Sequence, residues 1–101
     1  MIKKIRLEGI NEREIESRYQ LTISLLDNRH IEYRGEKLLR TIWLSLNPDK
    51  QEQIELFFAH GHITTYLWKG IDRFERMEHV SILHAFQYFN QRLEWSRKNW
   101  K

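Results

Sequence analysis

The side chains able to do chemistry in this 101-residue chain are five His, 14 Asp and Glu, and 17 Lys and Arg, with four Trp, four Tyr and five Phe around them. Cysteine is absent, which excludes disulfides, thiolate metal sites and thiol catalysis. His60-Gly61-His62 sets two imidazoles one residue apart, a spacing that recurs in metal sites. The pair falls at a predicted helix end, where residues i and i+2 do not share a face. A His in a last helical turn is favourable to the helix dipole without any metal. His79 and His84 are five apart and face different ways, and His30 falls in a predicted turn. Glu52 and Glu55, and Glu75 and Glu78, read as solvated helix faces among Lys and Arg. No GxGxxG, GxxxxGK[ST], GxSxG or HExxH is present, and all four glycines punctuate predicted elements. The residues therefore predict no catalytic site, no metal site and no cofactor.

His60-Gly61-His62 also resembles the His-hydrophobe-His element of single-strand nucleases and transposases. The resemblance implies Tyr88 as a nucleophile. The chain departs from that element at its centre, where Gly61 stands in place of an apolar residue.

The spacing is more informative in the C-terminal third. Ile82, Phe86, Phe89, Leu93 and Trp100 fall within about 40° of one direction on a helix turning 100° per residue, which makes them a core stripe. Tyr88, Arg92, Trp95 and Asn99, spaced four, three and four, form a second lane on the flank. Tyr, Trp and Arg are the types enriched at interface hot spots, because they bury much area and still satisfy a polar tip. This lane is the predicted partner-binding or self-association surface, the alternative being that Tyr88 and Trp95 pack under the hairpin and complete the core. A second reading uses the basic, Trp-containing C-terminus for single-stranded DNA or RNA, through Lys3, Lys4, Arg97, Lys98, Trp100 and Lys101. The formal charge of +3 permits it, although Arg92, Arg97 and Lys98 spread around the wheel and form no single stripe.

The elements that would position these residues are expected to make one α+β domain over 1–101. A β-hairpin at about 18–34 follows from the alternation of Tyr19, Leu21, Ile23 and Leu25. Short strands are expected at about 2–8 and 62–68. Leu38, Leu39, Ile42, Trp43 and Leu46 suggest a helix over 36–46, with a strand as the alternative because Thr41, Ile42 and Trp43 favour sheet. Asn47-Pro48, a preferred cap followed by a preferred first residue, suggests another from Pro48 to about His60, closed by Gly61. Asp72 with Glu75 resembles a capping box and opens the longest helix, about 72–99, with Val80-Ser81 as its weakest point. This small antiparallel sheet would pack against two or three helices.

MIKKIRLEG lacks the apolar core of a signal peptide, and no run reaches the 18 or so apolar residues that cross a bilayer. The expectation is a soluble, cytoplasmic protein that does not engage membranes. The function expected is a non-catalytic protein–protein interaction module, such as a small bacterial or phage inhibitor, immunity or adaptor protein. A homodimer is a further state that the flank allows.

Overall fold

The computed structural model describes residues 2–98, with side chains for 12–96 and Lys98. The chain is α+β. Helix α1 (Ile2–Asn28) leads into β1 (Arg34–Glu36) and a 3-10 turn (Lys37–Leu39). Then follow β2 (Thr41–Asn47), β3 (Glu52–Ala59), β4 (His62–Lys69), β5 (Asp72–His79) and helix α2 (Ile82–Lys98). The five strands form one open antiparallel sheet in sequence order, β1-β2-β3-β4-β5.

Alternation along the strands sorts their side chains into two faces. Ile42, Leu44 and Leu46 of β2, Ile54, Leu56 and Phe58 of β3, and Ile63 of β4 are all buried on one of them. Both helices pack on that side. Tyr19 of α1 meets Phe58 edge-on at 5.2 Å, and its hydroxyl donates to Thr41 O at 3.1 Å. From α2, Ala85, Phe86, Tyr88 and Phe89 join the same core, with Ile82 and Leu93 packed at its margin. The stripe predicted for the last helix is thus its core face; Trp100 lies outside the described residues. No described helix is long and apolar enough to cross a membrane.

The strand at 62–68 is present, within β4, but five other elements are not as expected. Residues 18–28 are helix and not the first arm of a hairpin, and 2–8 lie in the same helix rather than in a strand. The segment carries two periods at once. Tyr19, Leu21, Ile23 and Leu25 alternate, yet Ile15, Tyr19, Thr22 and Leu26 recur at four, three and four, and these are the buried ones, while Leu21 is 55% exposed. Thr22 is satisfied inside the helix by donating to Arg18 O at 2.8 Å.

The helix expected over 36–46 is instead the 3-10 turn and β2. Leu38 and Leu39 point into solvent, and burial falls on Ile42, Leu44 and Leu46, a period of two. Asn47-Pro48 makes a hairpin turn rather than opening a helix to His60. The Asn47 side-chain oxygen accepts from Lys50 N, Pro48 O accepts from Gln51 N, and Gln51 takes φ +56°. Gly61 correspondingly closes the β3–β4 hairpin at φ +70°.

The helix expected from 72 begins only at Ile82, and Asp72–His79 is the edge strand β5. The Val80-Ser81 position, read as a weak point in one helix, is the junction of strand and helix. Ser81 caps α2, its hydroxyl accepting from His84 N at 3.2 Å.

The two periods in α1 make opposite forecasts for neighbouring leucines. Leu26→Ala should lower the unfolding free energy by about 2–5 kcal/mol. Leu21→Ala should change it by about 0.5 kcal/mol or less. Urea denaturation of the two variants checks the helix against a hairpin, which would place Leu21 inward.

Candidate functional site

The flank of α2 faces β5, and a single carboxylate joins them. Glu75, paired across the ladder with Leu67, points to the helix side of the sheet. The Tyr88 hydroxyl donates to Glu75 Oε1 at 2.6 Å, and Arg92 donates through Nη2 to Glu75 Oε2 and through Nε to the Tyr88 hydroxyl at 3.4 Å. Tyr88 is only 8% exposed. Its burial, reinforced by the bond to Glu75, pushes the phenol up to about 12. Three of the four predicted lane residues are therefore brought together, in unequal roles. Tyr88 and Arg92 are tied inward to the sheet, the Arg92 guanidinium lies 5.8 Å from the Trp95 ring, and Trp95 is 52% exposed. Asn99 lies outside the described residues.

A β-bulge completes the arrangement. Between Leu67 and Trp68 the β4–β5 register shifts, so that Leu67 faces Glu75 while Trp68 faces Arg73. Phe74 is the extra residue, turned out of the ladder and 62% exposed. Beside it lies a cleft of about 410 Å³, lined in part by Leu67, Phe74, Glu75, Arg92, Trp95 and Ser96. Its wall carries an unpartnered group: the Ser96 hydroxyl is buried with no hydrogen bond. Exposed Phe74 and Trp95 with Leu67 and Trp68, set among Lys50, Glu52, Lys69 and the Glu75–Arg92 pair, suit an apolar side chain flanked by charged groups.

Comparison of the chain with models of protein families, with curated proteins and with solved structures finds no match. The chemistry of the site must be read from its own atoms.

His79 and His84, expected to face different ways, meet instead. His60 is exposed at the hairpin tip, and His62 stands across from Glu78 at 4.0 Å. Among the described residues no cluster of three His, Cys, Asp or Glu is placed to hold a metal. Instead His79 is fully buried, with Nε2 2.8 Å from Thr65 Oγ1 and Nδ1 2.7 Å from His84 Nδ1. Two Nδ1 atoms this close share one proton, so the contact requires at least one unprotonated ring nitrogen. Burial, and then the neighbouring His84, lower the His79 pKa. Thr65 is also buried, and the hydroxyl–imidazole chain reaches solvent at His84, which is exposed. Its role is to tie β4, β5 and α2 together.

Of the basic residues proposed for nucleic acid, Lys3 and Lys4 lie in α1, and Lys98 is exposed near the end of α2. Arg97 belongs to α2 with its side chain outside the description, as are Trp100 and Lys101 altogether.

The residues missed from sequence lie on the face of the sheet that neither helix covers. Trp43, Phe57, Tyr66 and Trp68 occupy it, each partly exposed. The Trp43 and Trp68 rings are 5.9 Å apart, Trp68 Nε1 donates to Glu55 at 2.9 Å, and Trp43 Nε1 is buried without a partner. The Arg34 guanidinium lies over Trp43 at 5.4 Å, and that of Arg73 over Tyr66 and Trp68 at 4.4 and 4.9 Å. The signal was in the alternation: Trp43 and Ser45 against Ile42, Leu44 and Leu46, and Tyr66 and Trp68 against Ile63, Thr65 and Leu67. Assigning 36–46 to a helix hid it.

Two outcomes follow for the buried polar groups. The unfolded chain protonates His79 near its ordinary 6.5, whereas the folded chain resists until lower pH. The stability it contributes is whole above about 6.5 and is lost as pH falls through the depressed value. The urea midpoint should drop between about pH 7 and pH 5, and His79→Gln should flatten that limb. Tyr88→Phe should cost about 1–2 kcal/mol by removing a hydrogen bond to a charged acceptor. It should also soften the loss of stability above about pH 10, where the unfolded phenol ionises and the folded one does not.

Proposed function

We propose that the chain is a non-catalytic interaction module that takes hold of a protein partner through the cleft between α2 and β5. The class it fits is a small inhibitor, immunity or adaptor protein of a bacterium or phage. The observation that supports the reading is the exposure of Phe74 and Trp95, 62% and 52%, at the mouth of one cleft whose floor is held by Glu75 and Arg92. A large exposed aromatic costs little singly. Two of them over a pinned ion pair make an anchor point, because the partner's side chain desolvates rings that are already positioned and little ordering is left to do.

The experiment is capture of partners from the native host on the immobilised full chain, with nuclease treatment and a salt series. The reading expects a protein partner that survives nuclease. Phe74→Ala with Trp95→Ala should weaken its binding by at least tenfold while the urea midpoint stays nearly constant. A partner retained by the double variant removes the cleft from consideration. Retention only on nucleic acid, falling steeply with salt through counterion release, replaces the protein reading with the nucleic-acid one.

A further inference from the structure

The uncovered face of the sheet is a second surface, separate from the cleft and differently built. Antiparallel sheets with one wet face normally alternate apolar-in with polar-out. Here the outward positions hold four large aromatics, of which Trp43 and Trp68 lean on each other and Trp43, Tyr66 and Trp68 lie under two guanidinium groups.

The register arranges the charges of this face in rows across the strands. One row runs Arg34, Trp43, Glu55, Tyr66, Arg76. The next runs Glu36, Thr41, Phe57, Thr64, Glu78. The first row is basic at both ends and the second is acidic at both ends. Within the chain each end pairs along its own strand, Arg34 with Glu36 at 3.6 Å and Arg76 with Glu78 at 2.8 Å. With Arg73 added, the face carries Arg34, Arg73 and Arg76 against Glu36, Glu55 and Glu78, so it is electrically balanced although the chain is not. A balanced face offers little to a phosphate backbone, whose binding comes from excess cations.

We propose that this face packs against the same face of a second copy. A two-fold axis running along the rows, between the basic and the acidic one, sets Arg34 against Glu36 and Arg76 against Glu78 of the other molecule at both edges at once. Such an interface is isologous, the same patch serving both copies. It converts an open two-layer structure into four layers, helices outside and two sheets within, about 10 Å apart. Five strands about 4.8 Å apart and up to eight residues of about 3.3 Å bound the face at roughly 19 by 26 Å, narrowing at the three-residue β1. The two copies together then cover less than about 1,000 Å², in the range of weak interfaces. The association should accordingly be reversible, with dissociation on dilution.

Sedimentation velocity of the intact protein from about 1 to 500 µM tests this, covering the micromolar and weaker range of reversible association. The mass should approach twice 12.5 kDa at the upper end. Arg34→Glu with Arg76→Glu should be monomeric throughout, and so should Glu36→Arg with Glu78→Arg, both with unchanged circular dichroism. An equimolar mixture of the two variants should restore the dimer, because each basic row again meets an acidic one. A wild-type monomer at every concentration overturns the proposal. A dimer that persists in either charge variant overturns the face, and one abolished by Trp95→Ala assigns self-association to the cleft instead. A monomer whose retention on single-stranded DNA is lost with salt turns the aromatic face into a base-stacking surface.

Discussion

Both helices lie on one side of a five-stranded sheet, and that one-sidedness governs the rest of the molecule. It requires every second residue of β2 and β3 to be apolar and buried, which Ile42, Leu44, Leu46, Ile54, Leu56 and Phe58 are. It makes α1 contribute Ile15, Tyr19, Thr22 and Leu26 along one stripe, and α2 contribute Ala85, Phe86 and Phe89 along another. It also leaves β5, at the sheet's edge, with polar groups on its inward side. Glu75 and His79 face the helices there, and each is answered by α2: Glu75 by Tyr88 and Arg92, His79 by His84. Polar ties replace apolar packing where the core thins toward the edge.

The ties also separate the two halves of the α2 flank. Tyr88 and Arg92 are bound inward and fix the floor of the cleft, and Trp95, beside the Arg92 guanidinium, is 52% exposed. From sequence alone the three looked equivalent, since helical spacing gives direction but not what lies opposite. Glu75 was needed to tell them apart, and nothing local to residues 88–99 announces it.

How much was legible depends on whether burial imposed a single period. On α2 it did, and the Ile82–Phe86–Phe89–Leu93 stripe is the packed face. In 15–26 two periods coexist, and the choice between them was made by Phe58 and Thr41, far away in the chain. Asn47-Pro48 and Asp72 with Glu75 satisfy helix-start rules, but the same residues serve turns and ion pairs equally well, since a cap is only a local acceptor. β5 was illegible for a different reason. Five of its eight residues are charged, because an edge strand with little apolar cover must remain wet and resist pairing with other chains.

The strictly sequential order of the strands has a kinetic meaning. Each strand pairs only with its neighbours in the chain, through connections of a few residues, so the sheet can assemble hairpin by hairpin at small loop-closure cost. Helix α2 follows β5 after two residues and can settle on that growing surface at once. Helix α1 is made first by synthesis but has no surface to dock on until β2 and β3 exist, since Tyr19 waits for Thr41 and Phe58. The element that emerges earliest is thus the one that joins the fold late, and its apolar stripe of Ile15, Tyr19 and Leu26 stays uncovered for longest while the chain is being made.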